Sequence, residues 1–267
     1  MSAGLPLRFI NATLGIPPED DPLIHDWTSE LFGIDDEFVA RSDRETTLEQ
    51  VVHELGGYFM CLAGRLRAQP DDSLGSVLAN AEIDGEPLGP GLLVPYFILL
   101  SAAGHDTVAT VLAGGIEALA RHPDQRVQLQ DDPGLVGNAV EEMMRWVTPT
   151  KHFMRNALSP TTVGGQDVQA GDWMLLSWAS ANRDESAFNE PFRFDVARGD
   201  AREHLAFGTG PHRCIGSTLA RLQLNTFFER FLPRVKVLEL DGDVVYSKTT
   251  FVSTFRRLPI RLELRES

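Results

Sequence analysis

Apolar positions fall at helical spacing through the first half of the chain and in short alternating runs through much of the second. After a stop at Gly15 and the Pro17-Pro18 pair, Glu19 to Phe32 sets Leu23, Ile24, Trp27 and Leu31 on one side of a predicted helix. Residues 5–16 mix apolar and small side chains and take no assignment. Gly33 to Glu45 is acidic with few apolar residues, the texture of a solvated connector. Thr46 to Ala68 reads as a long helix halted by Pro70, and residues 71–90 as turns. From about Leu92 to Arg121 a helix is apolar on almost every side, which marks it as central and buried. A short helix opens at Pro123, and a further one covers about Leu135 to Trp146.

The texture changes at Thr148. Lys151 to Ala157, Val168 and Trp173 to Trp178 read as short strands around a Gly164-Gly165 turn. Residues 179–206 have little periodicity. Ser217 to Phe231 returns to helical period with Leu219, Leu222, Leu224, Phe227, Phe228 and Phe231. Val235 to Leu240, Val244 to Ser247 and Leu258 to Leu264 alternate like strands, with an Asp241-Gly242 turn between the first two. The expected fold class is mainly α with a minor β region: a helical part over about 5–147 and a β and loop part over about 148–267.

Composition narrows this picture. With 43% hydrophobic and 23% charged residues the chain is an ordinary globular one, not a disordered one. A net charge of −14 argues against a nucleic-acid partner, since phosphate binding needs clustered Lys and Arg. It leaves room for a local basic patch of Arg202, Arg213 and Arg221. Two cysteines in unlike settings make no disulfide framework, and Met1 to Pro6 lacks the basic-then-apolar start of a leader, so the cytoplasm is the expected compartment. The apolar run Leu92 to Leu100 is far short of a membrane span, and no membrane association is expected.

Candidate chemistry centres on Phe207-Gly208-Thr209-Gly210-Pro211-His212-Arg213-Cys214-Ile215-Gly216, an irregular glycine-rich loop that runs into the Ser217 helix. Cys214 therefore sits at a helix N-terminus, where unsatisfied N–H groups and the helix dipole favour the thiolate, the form that binds metals. Cys61 is the contrast. It lies in the apolar helical run Tyr58 to Ala63 and reads as a small hydrophobe.

The pattern F-x-x-G-x-x-x-C-x-G resembles the ligand loop of the haem-thiolate monooxygenases, the cytochrome P-450 family. Four such fixed positions recur by chance in roughly one sequence of this composition in a thousand. The resemblance implies that Cys214 is the axial ligand to the iron of haem b, with Phe207, Gly208 and Gly216 beside it and His212 on a propionate. Ala103-Gly104-His105-Asp106-Thr107 resembles the A-G-x-D-T segment of the family's distal helix. This implies that Ala103 and Gly104 admit the cofactor, and that Asp106 and Thr107 are the catalytic acid and alcohol that relay protons. Thr107 can also bond back to the carbonyl four residues earlier and bend the helix open. Glu142-Met143-Met144-Arg145, weak alone, resembles the family's E-x-x-R, which pairs with a later arginine matched here by Arg193. Arg155 matches a second propionate donor. Thr150, Val252 and Ser253 fall where the family lines its substrate pocket, and the helices at 19–32 and 46–68 where it forms a lid.

The resemblance thus implies the cytochrome P-450 fold and a bacterial, iron-dependent oxidoreductase. Such an enzyme inserts one atom of O2 into a small hydrophobic molecule, with electrons from a ferredoxin or flavoprotein. The segment Val147 to Phe153 and the distal helix look closest to enzymes acting on terpenoids or steroids. The match covers nearly the whole chain but only about the last two thirds of a family member, so an N-terminally truncated form is expected. That form would hold haem weakly or self-associate through the face left uncovered. Two alternatives stand beside this reading: a peroxide-using haem-thiolate peroxygenase, and a weak or inactive haem-binding remnant.

Overall fold

A computed structural model describes residues 4–265. They form two units: one of the described residues up to 116 with 240–260, the other of 117–239 with 261 onward. The change of texture near Thr148 is therefore not the boundary between them. The last of the helices in 117–147 belongs with the later segments because Glu141, Glu142 and Arg145 bury their charges against residues 182–198, His204 and Arg221.

In the first unit, α1 spans Gly4–Thr13, where the mixed sequence gave no assignment. It buries Leu7 and Ile10, and the Asn11 amide donates to Asp21 at 2.8 Å. The next helix, α2, covers Asp21–Phe32 and follows a single 3-10 turn at Pro18–Asp20. The long α3, Arg44–Ala68, starts where the Asp43 carboxylate accepts the Thr46 N–H at 2.9 Å, an N-cap worth about 1 kcal/mol. Within the turn-rich stretch lie α4, Leu74–Ala79, and a hairpin of β1, Glu82–Ile83, with β2, Glu86–Pro87. Helix α5, Pro90–Arg121, belongs to the first unit as far as Ile116. Leu14, Ile24, Val51, Leu55, Phe59 and Phe97 are fully buried in the core, with the Phe59 and Phe97 rings stacked at 5.3 Å. Each such side chain contributes about 1.5–3 kcal/mol.

Three expectations are corrected here. Helix α5 is not buried all round: Leu92, Tyr96 and Leu99 are 52%, 47% and 59% exposed along one stripe. By length and composition alone this 32-residue helix could also cross a membrane, a test that core helices pass as well. The acidic connector is anchored, because Asp36 is fully buried, pairs with Arg256 and accepts the Phe38 and Lys248 N–H groups. Cys61 is exposed on α3 and is not a core hydrophobe.

In the second unit, α6 spans Pro123–Asp131 and α7 Val136–Val147. Helix α7 ends at Thr148, which has a left-handed φ of 44° and whose hydroxyl donates to the Arg145 carbonyl at 2.8 Å. Strand β3, His152–Asn156, is followed by β4, Thr161–Val163, β5, Gln166–Val168, and β6, Trp173–Ser177. Strands β3 and β6 pair antiparallel with His152 opposite Ser177. Strands β4 and β5 form a hairpin across Gly164 and Gly165, both at positive φ, as a two-residue turn of this hand requires. A short α8, Trp178–Ala181, precedes the irregular stretch, and α9 covers Ser217–Phe231.

The last strands pair differently from the hairpin expected at Asp241-Gly242. Strand β7, Val235–Leu240, pairs with β10, Ile260–Leu264, while β8, Val245–Tyr246, pairs with β9, Phe255–Arg257, in the first unit. The Asp241 N–H donates to the Pro259 carbonyl at 3.0 Å, which extends the β7 and β10 pairing by one residue, so Asp241 is held against the last strand and does not turn back into β8 as a hairpin.

Candidate functional site

The cysteine loop is held by its own backbone. Gly208 and Gly210 take φ of 66° and 67°, a conformation costly for any residue with a Cβ. The Cys214 N–H donates to the Phe207 carbonyl at 2.9 Å, and the Arg213 N–H to the Gly210 carbonyl at 3.1 Å. These bonds turn Cys214 outward one turn before α9: Cys214, His212 and Arg213 are exposed and Ile215 is 92% exposed. The helix start alone does not make a thiolate. Loss of water around the sulfur pushes the Cys214 thiol above its ordinary value, against the Gly216 N–H and the charges of Arg221 and Arg213, which pull it down. A bound metal ion would displace the proton outright.

Haem fits this donor set. Among the described residues no group of three or more His, Cys, Asp or Glu could hold a bare metal ion. A lone soft thiolate suits an iron whose other ligands come from a macrocycle. The sulfur is open to a ligand, since Cys214 is exposed at the end of the loop. On β3, the Arg155 guanidinium donates to the neighbouring Met154 carbonyl at 2.9 Å in an exposed setting and keeps further N–H groups for an anion. Thr150 lies half-buried just before that strand.

Glu142 and Arg145 form a fully buried pair on α7, with Arg145 Nε and Nη2 donating to the two carboxylate oxygens at 2.6 and 2.8 Å. The other Arg145 N–H groups go to the carbonyls of Asn182, Pro191 and Arg193 at 2.8, 2.9 and 3.3 Å, so all five donors have acceptors. The irregular stretch is thus fastened to α7. Arg193 is not the third member. Its guanidinium sits at the surface 3.2 Å from Glu190, whereas Arg198 Nε lies 3.2 Å from Glu142 Oε2 at 5% side-chain exposure. Both arginines stand in one short segment, and nothing in the sequence separates them.

Sequence reading missed a second buried cluster. Glu141 accepts Arg221 Nε at 2.6 Å and Nη2 at 2.9 Å, and its Oε2 is 3.0 Å from His204 Nε2. Arg221, taken at first for part of a basic patch, is therefore a paired charge. The available signal was the doubled glutamate at 141–142 and the histidine three residues before Phe207.

In the first unit the acid and alcohol of α5 are adjacent but engage different partners. Thr107 Oγ1 donates to the Ala103 carbonyl at 3.1 Å, on the exposed side of the helix that carries Ala103. Asp106 Oδ1 is 3.2 Å from His105 Nε2, while its buried Oδ2 has no hydrogen-bond partner. His105 Nδ1 faces the Ser101 carbonyl at 3.0 Å. Burial pulls the imidazole down, but Asp106 and that carbonyl outweigh it and carry the pKa above its ordinary value. Asp106 lines a cavity of about 270 Å³ with His25, Ser29, Thr110, Thr254 and Arg256. Ser253 bounds this region through its carbonyl, which accepts the Thr110 hydroxyl at 2.7 Å, and Val252 is buried beside it. Gly104 does not face a flat group: a Cβ there would fall 2.5 Å from Ile10 Cγ1, so this glycine makes room for α1.

Known proteins share both sequence and backbone. A family model, Cytochrome P450, matches residues 134–263. Cytochrome P450-terp from Pseudomonas sp is 37% identical over 264 residues, covering 96% of this chain and 61% of the relative. A steroid C26-monooxygenase of Mycobacterium tuberculosis is 37% identical over 97% of this chain and 70% of its own length. The solved structure of a Mycobacterium marinum cytochrome P450 in complex with pseudoionone superposes with a TM-score of 0.92 at 34% identity, over 97% of this chain and 63% of that one. The chain thus spans about 61–70% of the length of these relatives. Members of their family bind haem b through a cysteine thiolate. With a loop that presents one such thiol and 37% identity to a relative of which it covers 70%, this chain belongs to the cytochrome P450 family.

Proposed function

We propose that the chain forms the haem-holding part of a monooxygenase that inserts one atom of O2 into a C–H or C=C bond of a small hydrophobic molecule. The observation that carries this is the thiol of Cys214, the single soft ligand on a glycine loop, exposed and held there by the loop's own backbone bonds. When bound, haem supplies the activation of O2, which an axial thiolate favours. Arg155 and His212 would hold the propionates by charge-assisted hydrogen bonds, and Phe207, Gly208 and Gly216 would flank the ring. The Glu142, Arg145 and Arg198 group fixes the stretch that leads into the loop.

Asp106 and Thr107 handle protons. The Thr107 hydrogen is committed to Ala103, so its oxygen is oriented to accept, and the unpartnered Asp106 Oδ2 is the atom that takes up a proton. Val252 and Ser253 belong to the substrate pocket. A terpenoid or steroid substrate is supported by relatives named P450-terp, steroid C26-monooxygenase and linalool 8-monooxygenase. Electrons come from a ferredoxin-type or flavoprotein donor, in the cytoplasm of a bacterium. Chains associate through the exposed stripe of Leu92, Tyr96 and Leu99, since an apolar surface of that kind is normally covered.

The test supplies a ferredoxin, its reductase, a terpenoid or steroid and isotopically labelled O2. Label is expected in the product. Product formed with peroxide but not with O2 would mark a peroxygenase, and full haem occupancy without product a haem-binding remnant.

A further inference from the structure

The cluster of Glu141, His204, Phe207 and Arg221 lies apart from the Glu142 network although Glu141 is its neighbour in sequence. Glu141 is 4% exposed and takes the Arg221 guanidinium as a fork, through Nε at 2.6 Å and Nη2 at 2.9 Å. His204 Nδ1 accepts the Ala206 N–H at 3.1 Å, which leaves the ring proton on Nε2, donated to Glu141 at 3.0 Å. The histidine thereby braces the carboxylate, and the pair of Glu141 and Arg221 carries no net charge. Arg221 stands with Cζ 4.6 Å from the centroid of the Phe207 ring, against which the His204 ring also packs at 5.6 Å. Phe207 in turn accepts the Cys214 N–H, so the cluster bears on the cysteine both through a ring and through a backbone bond. The Arg221 charge also acts on the Cys214 sulfur directly, in favour of its anionic form.

From these contacts we infer that Glu141 and Arg221 are positioning residues that set the reduction potential at the Cys214 ligand, Glu141 offsetting a positive charge that Arg221 would otherwise impose on the thiolate. The inference rests on the reading of Cys214 as the haem ligand. A positive charge near a ligand stabilises the reduced, more negative centre, and outer contacts of this kind tune metal sites. Removing Glu141 and removing Arg221 must then act in opposite directions. A purely structural role predicts the same direction for both, a looser loop and lost haem.

The experiment is a spectroelectrochemical titration of the haem-loaded chain, with haem content measured alongside. Glu141→Gln is expected to raise the midpoint potential and Arg221→Gln to lower it. Each change is about tenfold in the reduction equilibrium, about 59 mV for one electron. The double variant should return near the parent. Arg221→Lys, which keeps the charge but not the fork, should stay near the parent, and with Arg221→Gln it decides the matter even if Glu141→Gln loses its haem. Potentials that move in one direction for both single variants, or do not move, overturn the inference. A parent chain that holds haem without a thiolate signature overturns the ligand reading and this inference with it.

Discussion

Arg198 Nε lies 3.2 Å from Glu142 Oε2, and the Arg198 Nη2 donates to the Arg193 carbonyl at 2.8 Å. The arginine nearer in sequence to Pro191 thus contributes its backbone, and the one five residues later contributes its charge. Arg198→Ala is expected to destabilise by about 1–3 kcal/mol, because it strips the part-buried carbonyls of Asn189, Glu190 and Arg193 of their donor and takes a charge from buried Glu142. Arg193→Ala, at an exposed pair, should fall within about 0.5 kcal/mol of the parent. Urea denaturation compares them, and equal losses would contradict the assignment.

Glu142→Ala and Arg145→Ala each leave a buried partner charge alone. A loss of about 3–5 kcal/mol is expected for either, enough to lower soluble yield and haem content together. Variants that keep the parental melting temperature would show the pair to be dispensable.

Acid stability has a named source. The Glu141 carboxyl loses water, which pushes its pKa up, but His204 and Arg221 outweigh this and hold it at about 2 against an ordinary 4.5. The Arg256 hydrogen bond holds Asp36 at about 2 as well, against 3.8. Both folded values are depressed, so the stability they contribute is full above about pH 4.5 and is lost as pH falls toward 2, amounting to about 3 kcal/mol for Glu141. Thermal melts across that window should fall less steeply for Glu141→Gln than for the parent. Parallel curves would refute the source.

His105 has the opposite sign. Its folded pKa is raised, so the bond to Asp106 stabilises fully below the ordinary value of about 6.5 and is lost as pH rises through the folded value. The melting-temperature gap between the parent and His105→Asn should narrow as pH rises from 6 to about 9. A gap independent of pH would speak for packing alone.

Thr107→Ala should bind haem normally and divert O2 consumption to peroxide, because the hydroxyl orients a proton path and ligates nothing. Product formation fully coupled to O2 uptake in this variant would remove Thr107 from that path.

Much of this was legible because it is local. Helices α3, α5, α7 and α9 follow from apolar period and from the stops at Pro70 and Gly208 to Gly216, and the cysteine loop from residue type and spacing. What escaped depends on partners far along the chain. Asp36 looked solvated until Arg256 came to it, 220 residues on. Gly104 looked open until Ile10 of α1 filled the space, and α1 itself, despite the stop at Gly15, has no clear apolar period that would announce it. Arg198 and Arg193 are alike in sequence, and only the course of an irregular segment chooses between them.

The central claim is that Cys214 thiolate holds haem iron, and the absorption spectrum of the reduced, CO-treated, haem-loaded chain tests it most directly. The parent is expected to show the red-shifted Soret band of thiolate ligation, and Cys214→Ser to lose it, because an alcohol does not ionise near neutrality and is a poor soft ligand. The same band, unshifted and of equal strength in both, would contradict the account.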